Sequence, residues 1–162
     1  MDFTTVKASI DEERGMPLKD VIASINEKPL GSASIAQVHE ATLVAGEEVF
    51  IKIQRPHIYE IMEADIKLLR RACGMLKIAG QTGNLLDFKG VVDELWRTSQ
   101  LEMDFIKEAE NIDKFTSFNK DIKYIMCPIV FHQFTTRKIL VMTNLGGYQI
   151  DQKQFLTEEG YD

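Results

Sequence analysis

The chain changes its hydrophobic period several times, and each change predicts an element. Residues 4–28 carry apolar positions at helical spacing, interrupted at Gly15-Met16-Pro17. Pro17 suits the first turn of a helix, with Leu18, Val21, Ile22 and Ile25 following at three- and four-residue steps until Pro29 stops the pattern. The period then drops to two. Ser34 to Leu43 alternates apolar and polar residues, Ala45-Gly46-Glu47-Glu48 reads as a turn, and Val49-Phe50-Ile51-Lys52-Ile53 reads as a second strand. A hairpin is the simplest connection, and Arg55-Pro56 ends it.

From His57 to about Ala79 the helical period returns, with Ile58, Ile61, Met62, Leu69, Ala72, Leu76 and Ala79 on one stripe and Asp65 intruding on it. Residues 80–84 form a loop. One long helix is expected from Asp87, a plausible N-cap, toward Phe115, with Phe88, Val91, Val92, Leu95, Ile106 and Ala109 on its stripe. After Asn119-Lys120-Asp121 come two extended segments: Tyr124 to Phe134, through Cys127-Pro128, and Lys138 to Met142, which Gly146-Gly147 closes. There is no internal repeat. Helix, hairpin, two long helices and two strands make an α+β fold with an antiparallel sheet.

Composition narrows the possibilities. A chain of 162 residues, 44% apolar, suits one domain with a real core. A net charge of −6 without a basic run argues against general nucleic-acid binding, which requires clustered Lys and Arg. Cys73 and Cys127, far apart and outside any CxxC, exclude a disulfide scaffold or zinc ribbon and read as reduced core thiols, so a cytoplasmic setting is the default for this piece. No apolar run is long enough to cross a bilayer, and Met1-Asp2-Phe3 lacks a secretory pattern. His39, His57 and His132 lack ligand spacing, so no metal site is expected within these residues.

Three groups of residues could carry chemistry. Lys52 sits mid-strand, on the face shared with Phe50 and Gln54; it is either a surface lysine of a one-sided sheet or an amine held rigidly for a phosphate or carboxylate. Gly31-Ser32-Ala33-Ser34-Ile35 is either an ordinary turn or a loop whose small side chains let backbone amides approach a phosphate. Asp104, Glu108 and Asn111 fall at i, i+4 and i+7 of the long helix, a solvated face or a functional one, with Glu102 projecting elsewhere. Taken together, a small-residue loop, a strand, a turn, a lysine strand and a glutamate helix follow the order of a protein-kinase N-lobe.

Three blocks resemble one branch, the UbiB/AarF (ABC-one) family of atypical kinases: residues 29–41, residues 49–56 with Lys52, and residues 102–111 with Glu108. The resemblance implies a kinase-like N-lobe, with a small antiparallel sheet and an enlarged set of helices. It would divide into an N-terminal helical segment (1–28), loop and hairpin (29–56), a helical insertion (57–86), the glutamate helix (87–118), two last strands and a hinge (119–147), and the start of a connection to a C-lobe (148–162). It further implies that Lys52 contacts nucleotide phosphates, Glu108 pairs with it, and Gly31, Ser32, Ala33, Ser34 and Ile35 cover the nucleotide. Met142, Thr143 and Leu145 would border the adenine, and Glu102 and Asp104 would form the family's acidic motif. The implied ligand is ATP with Mg in the full-length protein, in a setting of quinone or isoprenoid-lipid metabolism, with any membrane contact belonging to that longer chain.

Neither a catalytic-loop Asp/Asn nor an Asp-Phe-Gly follows Met142, so the chain reads as an excised lobe, inactive alone and prone to self-association through the surface that meets its partner lobe. The alternative is a non-catalytic kinase-like regulatory or scaffold module.

Overall fold

The computed structural model describes residues 1–13, 18–78, 88–147 and 153–160. Its centre is an antiparallel five-stranded sheet. In chain order the elements are α1 (Phe3–Glu12), α2 (Leu18–Val21), β1 (Ile22–Ile25), β2 (Gly31–Ser32), β3 (Ala36–Leu43), β4 (Glu48–Gln54), α3 (Ile58–Ile78), α4 (Phe88–Glu102), α5 (Phe105–Asn119), β5 (Ile139–Thr143) and α6 (Lys153–Glu158). Strands run β1-β3-β4-β5, and β2 adds to β3. The expected hairpin is β3–β4, in register from Thr42↔Glu48 to Ala36↔Gln54, and Gly46 takes the left-handed conformation (φ +97°) that its turn requires.

Strand alternation gives the sheet two different faces. Ala41, Leu43, Val49, Ile51, Ile53, Ile139 and Val141 point one way and meet Val6 and Ile10 of α1. Ala36 and Leu140 point the other way and meet Phe105 and Ala109 of α5, with Val130. Lys52 lies on this second face, so the two-sided sheet excludes the simple surface-lysine reading. Cys73 and Cys127 are half-buried rather than core thiols. Among the described residues no helix is long and apolar enough to cross a membrane.

Three secondary-structure expectations need correction. The helix over 17–28 lasts only one turn, because Ile22–Ile25 pairs with β3 as a strand. The single helix from Asp87 is two helices, α4 and α5, broken at Met103-Asp104; Asp104 caps α5 by accepting the Ile106 amide at 3.1 Å. The segment 129–134 is not a strand: only Val130 bridges to Met142, and His132–Phe134 is a 3-10 turn. Asp87 as a cap, the loop at 80–84 and part of 148–162 lie outside the described residues.

The insertion is a helix pair, α3 against α4, tied by Arg70–Asp93 (2.8 Å) and Tyr59 against Trp96 (5.4 Å between rings). Among the described side chains of α3 the buried positions are Ile58 and Ile66, while Ile61, Asp65 and Leu69 are exposed. At the other end of the chain, Asp2 caps α1. Its carboxylate accepts the Thr5 amide at 2.7 Å, and that bond holds its pKa below the ordinary 3.8. The folded pKa being the lower one, the cap's contribution is full above the ordinary value and is lost as pH falls through the folded one. Exchange protection of the Thr5 amide should therefore drop on acidification, and Asp2→Asn should abolish that step. A step that persists in Asp2→Asn would assign it to another group.

Candidate functional site

The site grows from the end of β4. Lys52 and Gln54 on the strand and Arg55 just past its end reach three different parts of the molecule. Lys52 extends toward α5, and its ammonium donates to both carboxylate oxygens of Glu108, at 2.8 and 2.7 Å. The amine also lies 4.8 Å from the centroid of the fully buried Phe105 ring. Side-chain exposures of 20% for Lys52 and 36% for Glu108 put the pair at a cleft edge, reachable from solvent yet partly desolvated. Charge-assisted, two-pronged bonds of this kind fix geometry as well as energy. Glu108 occupies the first turn of α5, where the helix dipole favours a negative side chain. Neighbouring Glu110 is taken up by Lys107 at 2.8 Å, and that hydrogen bond holds its carboxyl below the usual range.

Gln54, two residues beyond Lys52 on the same face, donates through Nε2 to the Met103 carbonyl at 2.8 Å. Arg55 turns back to the small-residue loop. Its Nη2 donates to Ser32 Oγ at 2.8 Å, its Nε to the Ala33 carbonyl at 3.0 Å, and its backbone amide to the Ile35 carbonyl at 2.8 Å. The loop is thus anchored on one side. Gly31, Ser32, Ala33 and Ser34 remain exposed, and a Cβ placed on Gly31 would meet nothing within 4 Å. Sequence reasoning missed Gln54 and Arg55 as working residues. The available signal was their position, Gln54 on the lysine's own strand face and Arg55 at the strand's end.

The remaining site residues are distributed unequally. Glu102 is exposed at the end of α4, and Asp104 caps α5 with its second oxygen 3.8 Å from Arg137 Nε, so the acidic motif straddles a helix break. Asp104 is therefore the cap of α5 and not a residue within one long helix with Glu108 and Asn111, as the spacing argument had it. At the far end of the sheet, Met142 is half-buried against the α5 cluster, and Thr143 is bound to residue 129: its hydroxyl accepts the Ile129 amide and its own amide donates to the Ile129 carbonyl, both at 2.9 Å. Leu145 is exposed just beyond. A groove of about 420 Å³ at this end is bordered by Ser24, Glu40, Thr42, Glu48 and Asn144. A second, apolar groove of about 330 Å³ runs past Glu108 between Ile112, Phe115, Met126 and Pro128.

The site offers one fixed ammonium, Lys52, and an exposed small-residue loop that Arg55 anchors, while the groove at the strand ends is bordered by the carboxylates of Glu40 and Glu48. The site does not fit a metal on its own, because the described residues include no group of three or more His, Cys, Asp or Glu side chains that could hold one.

An antiparallel sheet whose central strand carries a lysine paired to a glutamate on the adjoining helix defines a protein-kinase-like N-lobe. The sequence matches the ABC1 atypical kinase-like domain over residues 1–162, and the chain belongs to that family. It is 37% identical over 161 residues to a protein from Clostridium pasteurianum described as an uncharacterized protein in hydrogenase 1 5'region, covering 99% of this chain and 30% of that protein. It is 31% identical over 157 residues to AarF domain-containing protein kinase 1 of Gallus gallus, covering 97% of this chain and 30% of that one. Among solved structures, the complex of Rv3197 with erythromycin from Mycobacterium tuberculosis is similar with a TM-score of 0.76 at 32% identity, covering 94% of this chain and 38% of that one. The chain thus spans about 30% of the length of these curated relatives.

Proposed function

We propose that this chain is the ATP-binding N-lobe of an ABC1-type atypical kinase or ATPase. Lys52 orients the phosphates, Glu108 keeps the amine in place, and the Gly31–Ile35 loop covers them, while Met142, Thr143 and Leu145 border the base. The observation that carries this reading is the two-pronged Lys52–Glu108 pair at 2.7–2.8 Å across 56 residues of sequence. Such a pair leaves the ammonium at a cleft edge with one side free to meet an anion, and it fixes that ammonium without consuming it. Catalytic-loop and metal-holding acids belong to a further lobe of the longer protein, so this chain alone binds but does not turn over nucleotide. The link to quinone or isoprenoid-lipid metabolism, and any membrane contact, enter this proposal through family resemblance alone.

The test is ATP affinity of the full-length protein, measured by titration calorimetry, with and without Lys52→Ala. Loss of a charge-assisted phosphate contact should weaken binding by about tenfold to a hundredfold. Unchanged affinity and turnover in Lys52→Ala would remove Lys52 from the site. Absence of ATP binding in the unaltered protein would favour a scaffold role instead.

A further inference from the structure

We propose that Gln54 is a positioning residue that sets whether Lys52 and Glu108 meet. Lys52 and Gln54 share one face of β4, and residues two apart on a strand are separated by about 6–7 Å. Both reach the same neighbour. Gln54 holds the Met103 carbonyl at 2.8 Å, immediately before the Asp104 cap, and Lys52 holds Glu108 one helical turn further on. Met103 and Glu108 are five residues apart, about 7.5 Å at a helical rise, so the two tethers on the strand and their two anchors on the junction and α5 are similarly spaced.

The carbonyl that Gln54 takes is one left over where α4 ends, a group otherwise without a helical partner. The junction is short, residues 103 and 104 only, so its position fixes where α5 begins. Its other ties are the buried Phe105 side chain and the Phe105 amide, which donates to the Arg137 carbonyl at 3.1 Å. That amide bond ties the junction to the segment entering β5. Among the described residues, the Gln54 side chain makes the hydrogen bond that ties it to the strand carrying the lysine, and the Phe105 ring adds its contact with the Lys52 ammonium. If that hydrogen bond is lost, α5 can shift relative to β4, and the Lys52–Glu108 contact is the first to feel it. The role of the pair toward nucleotide rests on the reading above; the tether itself does not.

The experiment uses the full-length protein and a readout local to Lys52. An ammonium held between two carboxylate oxygens is masked from an acetylating reagent, so the rate of Lys52 acetylation, relative to exposed Lys123 in the same sample, reports whether the pair is closed. Gln54→Met and Gln54→Leu both remove the donor without placing a charge beside Lys52. Both should raise the relative rate by about tenfold, the loss of one well-placed hydrogen bond. Amide protection around Val6 and Ile10 of α1 should stay unchanged.

An unchanged rate in either variant, even with a lower melting temperature, would make Gln54 a cap for α4 and nothing more. A raised rate accompanied by equal loss of protection in α1 would also overturn the proposal, since the whole chain would then be opening. Nucleotide binding is measured separately in the full-length protein: if it is absent there, the functional reading fails while the acetylation result still decides the tether.

Discussion

Phe105→Ala is expected to destabilise the chain by about 3–5 kcal/mol, and to loosen the start of α5 before anything else. The ring is fully buried between α5 and the sheet, among Ala36, Ala109, Val130 and Leu140, with Ile35, Ile112 and Met142 closing around it. Most of these neighbours are small or fixed to strands, so they cannot collapse into the space a phenyl group leaves. The expected cost is therefore transfer free energy plus a persistent cavity. Against a total of about 5–15 kcal/mol for a domain, that is a large fraction.

The ring also forms the floor under the Lys52 ammonium, a contact that adds about 0.5–2 kcal/mol where it is partly desolvated. Phe105→Leu keeps most of the volume and loses the aromatic face. It should cost about 1.5 kcal/mol or less from packing, plus that cation contact. Urea unfolding of the two variants separates the effects. A loss below about 1 kcal/mol for Phe105→Ala would show that α5 does not seat this ring against the sheet.

How much of this could be read from sequence depends on what each signal measures. The β3–β4 hairpin was legible because β3 alternates loosely, β4 alternates cleanly and is rich in β-branched residues, and the turn between them carries a glycine at a left-handed position. Lys52 and Glu108 were legible through the order of elements, although no local rule shows that residues 56 apart will touch. The break at Met103-Asp104 was not legible. Val92 and Ser99 on α4 and Phe105 and Ala109 on α5 each keep helical spacing, so a two-residue interruption changes direction without visibly breaking the period. An aspartate serves equally as a solvated helix residue and as an N-cap, and nothing local decides between them.

The strand β1 failed for a related reason. Its four residues begin and end with isoleucine, a spacing that also satisfies one turn of helix, and only pairing to β3 settles the matter. Residues 129–134 are β-branched and aromatic enough for a strand. But the Phe131 amide bonds the Val141 carbonyl while Phe134 bonds back to Phe131, so the chain folds on itself instead of extending along β5. Both Gln54 and Arg55 escaped notice because their partners are backbone carbonyls and a serine hydroxyl, which leave no trace in a pattern of residue types.

Breaking the Lys52–Glu108 pair should separate stability from function in a way that a purely structural ion pair would not. Glu108→Leu strands the more buried partner, an ammonium with 20% side-chain exposure, and should cost about 1.5–3 kcal/mol. Lys52→Met leaves a carboxylate that is 36% exposed and can turn to water, so its cost should be smaller, about 1 kcal/mol. The double variant removes both charges from a cleft floored by Phe105. It should be more stable than Glu108→Leu alone, an interaction of about 1 kcal/mol or more in a double-mutant cycle. Nucleotide affinity of the full-length protein should follow the opposite rule: every variant without Lys52 binds ATP poorly, and the double variant, however stable, is no better than Lys52→Met. Additive stability costs would mean that the two charges do not interact in solution. Recovery of ATP binding together with stability in the double variant would mean that the lysine holds the fold and not the phosphate.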